Sequence, residues 1–129
     1  VKEVDLAIVA DIGTLQRLPT IVGEGITREL AFTGRTFNGE EAKDLKIVNR
    51  TFADQDELMK ETRKIAQAIA SKSPLSVRGI KQVLNYCRDN TVANGLAYVA
   101  AWNSAVLLSE DAQEAMSAMM EKRAPAFKD

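Results

Sequence analysis

From residue 54 onward, helix-start signals recur ahead of apolar stripes of helical period, and this limits the possible folds more than any other feature. Asp54-Gln-Asp-Glu57 has the form of a capping box, an acceptor followed three residues later by Glu. Leu58, Thr62, Ile65 and Ile69 then fall on one helical face. Ser73-Pro74 is an N-cap followed by Pro at the first helical position, and it predicts a helix burying Val77, Ile80, Leu84 and Cys87. Asp89-Asn90 breaks that helix. Val92, Leu96, Val99, Asn103 and Val106 mark another, with Tyr98 and Trp102 beside the stripe. Ser109-Glu-Asp111 caps a last helix bearing Ala112, Ala115, Met116, Met119 and Met120, with Pro125 as its stop. The second half therefore reads as four amphipathic helices with short connections. Leu96 to Leu108 is apolar on more than one face, which fits either an oligomer interface or a plain bundle core.

The first half has a different texture. Val1 to Ala10 contains a short apolar run and reads as a buried strand or buried loop. Asp11 or Thr14 can cap a short helix carrying Leu15, Leu18 and Ile21, which Pro19 is expected to end or kink. A helix over about 24–33 follows, with Gly34 as its C-terminal cap. Asn38-Gly-Glu-Glu41 starts a short helix through Leu45, and Ile47 to Phe52 reads as a strand. The expected organisation is α/β but mostly helical, with a strand-and-helix part over 1–54 and a helical part over 55–129.

Composition narrows the chemistry. There is no histidine, which removes Ser-His and Cys-His nucleophiles and His-containing zinc sites from this chain. The one cysteine, Cys87, permits no internal disulfide and lies on an apolar stripe, as a small buried hydrophobe would. A net charge of -1 gives no nucleic-acid footprint, and no apolar run is long enough to span a bilayer. No metal site is expected. Acid–base chemistry must rest on carboxylates, Lys or Tyr. Glu3 and Asp11 stand out because apolar residues surround each of them. Two carboxyl groups in a partly dry pocket can divide into a proton donor and a proton acceptor. The commoner role for such an Asp is a helix cap, with Glu3 simply solvated. Gly13-Thr14 could present backbone N–H groups to an anion, although a tight helix entry is the better explanation of so short a pair. Lys122, Arg123 and Lys128 are either a solvated helix end or a grip on ligand phosphates. The C-terminal methionines fit core packing better than a binding groove.

Glu3 and the run Asp11-Ile-Gly-Thr-Leu-Gln-Arg-Leu-Pro19 resemble the crotonase superfamily of enoyl-CoA hydratases and isomerases. The resemblance continues through Glu29-Leu-Ala-Phe-Thr-Gly34, Glu41-Ala-Lys43, Ile69-Ala-Ser-Lys-Ser-Pro74, Lys81, Tyr98-Val-Ala-Ala-Trp-Asn103 and Glu121-Lys-Arg123 with Phe127-Lys128. Asp11, where hydratases usually carry Gly, is similar to the Δ3,5-Δ2,4-dienoyl-CoA isomerases. Leu45-Lys-Ile47 departs from the Gly-Leu-Val of many members.

The resemblance implies the C-terminal part of a ββα spiral fold, followed by a helical region used for trimer formation. It implies an acyl-CoA substrate, with no cofactor beyond the coenzyme A that the substrate carries, and a homo-oligomer, a trimer or dimer of trimers. Glu3 and Asp11 are then the two proton-transfer groups, Glu3 near C2 and Asp11 near C6 of the acyl chain. Lys122 and Lys128 are then candidates for holding the CoA of a neighbouring subunit. An enoyl-CoA hydratase or Δ3-Δ2-enoyl-CoA isomerase is the alternative within the superfamily, and a non-catalytic helical oligomerisation module the alternative outside it.

A complete member is about twice this length, and the chain opens on Val1 rather than Met, so upstream sequence is expected. That part is expected to carry both oxyanion-hole N–H groups, most of the CoA-binding loop and a third acid. Without them the chain alone is expected to be inactive. The expected location is the cytoplasm in a bacterium, or the mitochondrial or peroxisomal matrix in a eukaryote. The ending Phe127-Lys-Asp129 is not the Ser-Lys-Leu signal.

Overall fold

The computed structural model describes residues 1–128. It contains a 3-10 turn, Glu3–Leu6, and six helices: α1 (Thr14–Thr33), α2 (Gly39–Asp44), α3 (Gln55–Ala70), α4 (Pro74–Arg88), α5 (Val92–Val106) and α6 (Glu110–Glu121). The chain forms two compact units, Val1–Leu58 and a second from Met59 onward, with the boundary inside α3.

Among the described residues there is no β-strand, so neither strand expected at Val1 to Ala10 or at Ile47 to Phe52 forms. A strand satisfies its N–H and C=O groups only across a ladder. Here part of each stretch closes its hydrogen bonds locally instead. Asp5 N–H donates to the Lys2 carbonyl (3.0 Å) and Ile8 N–H to that of Glu3 (3.2 Å), around Ala7 in the left-handed region at φ 56°. Ile47 and Val48 N–H both donate to the Ala42 carbonyl, at 2.9 and 3.3 Å. β-branched composition alone could not supply the missing partner strand.

In the first unit, α1 is two helical segments broken at Gly23, whose φ of 80° and ψ of 165° are available only to glycine. The expected break at Pro19 is displaced by four residues. Pro19 stands early in the helix, where it removes one bond to the Leu15 carbonyl and the helix carries on. The Thr27 hydroxyl donates to the Gly23 carbonyl at the break (2.8 Å). Gly34 closes α1 as expected, at φ 58° with its N–H on the Leu30 carbonyl. Asn38 caps α2 by accepting from Glu41 N–H at 2.9 Å. Arg35 ties α1 to α2 through Glu29 and Glu41, both at 2.7 Å, and these acids raise the guanidinium's pKa. Ala10, Leu30 and Ala42 are the buried apolar residues of this unit.

The helix starts of the second half follow the sequence. The Asp54 carboxylate accepts from Glu57 N–H (2.8 Å), while Glu57 reaches back to Ala53 N–H (3.1 Å). Ser73, Thr91 and Ser109 each accept from the N–H three residues on. Each such cap is worth about 1 kcal/mol. α6 ends at Glu121, ahead of Pro125, because Lys122 turns left-handed at φ 54°. α5 and α6 meet at a bend of 80°. Among the described residues no single helix is long and apolar enough to cross a membrane.

In the second unit, α4 packs on α5 at glycines, with Cys87 of the expected stripe at the contact. Gly79 lies under the Trp102 indole and Gly95 against the Cys87 sulfur. Tyr98 stands between the Tyr86 and Trp102 rings, with centroids 4.6 and 6.5 Å away. Ile80, Leu84 and Cys87, expected to be buried, are exposed. The small residues allow the helices to approach on the glycine face, and the large apolar side chains are left outside. Leu107, Leu108, Met116, Met119 and Met120 are exposed as well.

Candidate active site

The 3-10 turn at the start of the chain carries Glu3 as its first residue. The turn is braced by a Lys2–Asp5 ion pair at 3.3 Å and by the Ile8 N–H bond to the Glu3 carbonyl. The Glu3 side chain itself is half-buried and has no hydrogen-bond or ion-pair partner among the described residues. The chain then runs through Leu6 to Val9 with exposed side chains, buries Ala10, and presents Asp11 to solvent. Asp11 too has no partner among the described residues.

The helix-cap role weighed for Asp11 is not used, nor is that of Thr14. The N-cap of α1 is Gly13, at φ 92°, and no side chain caps the first turn. Gly13 is needed for that φ, and the Arg17 guanidinium folds back over it, donating to the Ile12 carbonyl at 3.2 Å. An Asp that neither caps nor pairs is held there by no local structural role. The two carboxylates thus bracket one short segment, and no hydrogen bond joins them. The apolar side chains between and beside them face outward, with Val9 at 75% and Ile12 at 79% exposure. Such a surface suits an apolar chain or a covering segment far better than water.

The C-terminal cations belong to the second unit, and the structure sorts them. Arg123 is not available for a ligand phosphate. Its guanidinium grips Glu114 with a fork, one arm at 2.9 Å, and Nε donates to Glu121 at 2.6 Å. Ala126 N–H adds a further bond to Glu114 at 2.8 Å. Arg123, and then the Ala126 amide, hold the Glu114 carboxyl down at about 2, while these acids raise the pKa of Arg123. Lys128 reaches the Glu110 carboxylate at 3.1 Å. Lys122 is exposed and has no partner among the described residues.

Two groups central to this unit escaped the sequence reading. Asp111, read only as part of a helix start, is buried. It accepts from the Ser73 hydroxyl (2.5 Å) and from Lys128 N–H (3.3 Å), so that it joins the starts of α4 and α6 to the C-terminal segment. Glu114 and Arg123 are nine residues apart, a spacing that no helical period brings together. A cleft of about 290 Å³ lies between Glu110, Glu114, Ser117, Ala126 and Lys128. Its charged groups are engaged within it and nearby, Lys128 with Glu110 and Glu114 with Arg123. Among the described residues no group of three His, Cys, Asp or Glu side chains is placed to hold a metal.

All 129 residues match the profile of the enoyl-CoA hydratase/isomerase family. The peroxisomal Delta(3,5)-Delta(2,4)-dienoyl-CoA isomerase of Arabidopsis thaliana is 56% identical over 127 residues, 98% of this chain and 46% of that protein. The mitochondrial enzyme of the same name from Dictyostelium discoideum is 44% identical over 128 residues, 99% of this chain and 44% of that protein. The crystal structure of an enoyl-CoA hydratase from Bacillus anthracis superposes with a TM-score of 0.92 at 32% identity, covering 98% of this chain and 48% of the other. The chain thus spans a little under half the length of the curated relatives it matches. Its helical architecture and its unpaired carboxylates accord with a profile match that runs from end to end, and the chain belongs to the enoyl-CoA hydratase/isomerase family, with the crotonase fold.

Proposed function

We propose that this chain is the part of a Δ3,5-Δ2,4-dienoyl-CoA isomerase that holds its two proton-transfer carboxylates, Glu3 and Asp11. The observation that carries the reading is their state. Among the described residues both are free of any hydrogen bond or ion pair, and they flank an outward-facing apolar segment, Leu6 to Val9. Relatives at 56% and 44% identity that bear the isomerase name give the reaction type.

Converting a 3,5-dienoyl thioester to its 2,4-isomer removes a proton from C2 and adds one at C6. The electron pair of the C2–H bond passes through the thioester enolate and along the conjugated carbons, so the net change is a proton moved along the chain. Because C2 and C6 are several bonds apart, one side chain serves poorly. Two carboxylates at separate points along an apolar slot serve well. Glu3, ionised, takes the C2 proton, and Asp11, in its acid form, gives one at C6; proton exchange with solvent then restores both groups. The enolate needs preorganised N–H donors, worth about 3–4 kcal/mol each in comparable sites. These donors come from the rest of the protein, as does most of the CoA site, so the activity is that of the full-length enzyme. Lys122 contributes to holding the CoA phosphates of a neighbouring subunit in a trimer or dimer of trimers, joined by Lys128 when it leaves Glu110. A mitochondrial or peroxisomal matrix is the compartment that accords with such relatives.

The test is Glu3→Gln and Asp11→Asn in the full-length protein, with conversion of a 3,5-dienoyl-CoA followed by the longer-wavelength absorbance of the conjugated product. Each variant should lose at least a hundredfold in rate, the usual range for removing a general acid or base. Wild-type turnover by either one refutes its role. Solved structures titled enoyl-CoA hydratase favour hydration of a 2-enoyl-CoA as the second reading. Faster turnover of that substrate than of the dienoyl thioester would select it.

A further inference from the structure

We propose that Gly34 is a positioning residue for Glu3, an inference that rests on the catalytic reading of that carboxylate. The Glu3 side chain has no partner of its own among the described residues, so its place is inherited from the backbone of the 3-10 turn. That turn packs on α1. Its seat there is Gly34, the buried residue that closes α1 at φ 58°. A Cβ added at Gly34 would stand 3.1 Å from Val4 Cγ1, and 3.3 and 3.4 Å from the two Asp5 carboxylate oxygens.

Val4 and Asp5 directly follow Glu3, and Asp5 also pairs with Lys2 at 3.3 Å. The turn therefore rests on a surface that is flush only because residue 34 has no side chain. A methyl group there is strained at φ 58° and presses on the Val4 and Asp5 side chains, which must give by a few tenths of an ångström. On the proposed reading the turn yields to that pressure, and the unanchored Glu3 carboxylate moves with it. Catalysis is sensitive to such displacements, with about 1 Å of misplacement costing around a hundredfold in rate.

The experiment uses the full-length protein and a 3,5-dienoyl-CoA, with kcat and KM measured for Gly34→Ala, Val4→Ala and the double variant. Gly34→Ala should lower kcat by roughly tenfold and leave KM within about twofold, because the turn moves while the substrate's binding groups do not. Val4→Ala removes methyl groups where Gly34→Ala adds one. It should lower kcat by itself and restore most of it in the double variant.

In a Glu3→Gln background, measured by single turnover, Gly34→Ala should have no further effect, since the group it displaces is gone. A folded Gly34→Ala protein with wild-type kcat overturns the proposal. So does an equal loss in the Glu3→Gln background, because the effect then does not pass through Glu3. Should Gly34→Ala not fold, Val4→Ala decides: a tenfold fall in kcat supports the proposal, and wild-type kcat refutes it. Glu3→Gln at wild-type rate removes the underlying catalytic reading instead, and the two failures are distinguishable.

Discussion

Gly79→Ala is the sharpest test of how the second unit is packed, because two effects of opposite sign compete. In a helix interior, replacing Gly by Ala ordinarily stabilises by about 0.5–1 kcal/mol through lost unfolded-state freedom. At Gly79 the new methyl would lie 2.6 Å from Trp102 Cε2 and 3.0 Å from Cδ1, and closer still to Nε1. Carbon atoms rest at about 3.5–4.0 Å, so the ring must withdraw by roughly 1 Å. It has little freedom to do so. The indole nitrogen is buried, and the Tyr98 ring stands edge-on to Trp102.

Overpacking of this kind costs about 1–3 kcal/mol. After the propensity gain the expected net destabilisation is about 0–2.5 kcal/mol. Equilibrium urea denaturation followed by circular dichroism measures it. Shortening the partner, Trp102→Leu, should remove most of the Gly79→Ala penalty, giving a coupling of about 1 kcal/mol or more in a double-mutant cycle. If Gly79→Ala is instead more stable by the propensity increment, with no coupling to Trp102, the close approach of α4 to α5 is wrong.

Asp111→Ala takes the acceptor from the buried Ser73 hydroxyl and from Lys128 N–H, and should cost about 1–3 kcal/mol in the same assay. An unchanged midpoint would show that neither bond matters. Glu114 has its folded pKa lowered from 4.5 to about 2, so its contribution to stability is present above about pH 4.5 and is lost as pH falls toward 2. Glu114→Gln should flatten the stability profile in that window. An undiminished acid slope would assign the slope to other carboxylates. Lys122→Glu should raise KM for the acyl-CoA several-fold with kcat held, as loss of uniform binding does. An unchanged KM removes Lys122 from the CoA site.

The helix boundaries were legible from residue order because caps are local. Asn38, Asp54, Ser73 and Ser109 need only an N–H three residues away, and each finds it. Gly34 closes α1 for the equally local reason that glycine accepts a left-handed φ. Glu3 and Asp11 were also visible, since a charge set among apolar residues is conspicuous wherever it ends up.

What required the tertiary structure is whatever depends on a distant partner. The stretches at Val1 to Ala10 and Ile47 to Phe52 have strand-like composition, yet among the described residues no neighbouring strand completes a ladder. Asp111 looks like any acid at a helix start until Ser73, 38 residues away, supplies its donor. Arg123 reads as a free cation until Glu114 folds beneath it. Stripe counting pointed to Ile80 and Leu84 as the buried face of α4, but a glycine lets a helix approach more closely than a leucine does. Gly79 and Gly95 therefore decide which side of α4 meets α5. Local hydrogen bonding is written in neighbouring residues, whereas contacts across the fold depend on which surfaces can approach, and only the assembled chain determines that.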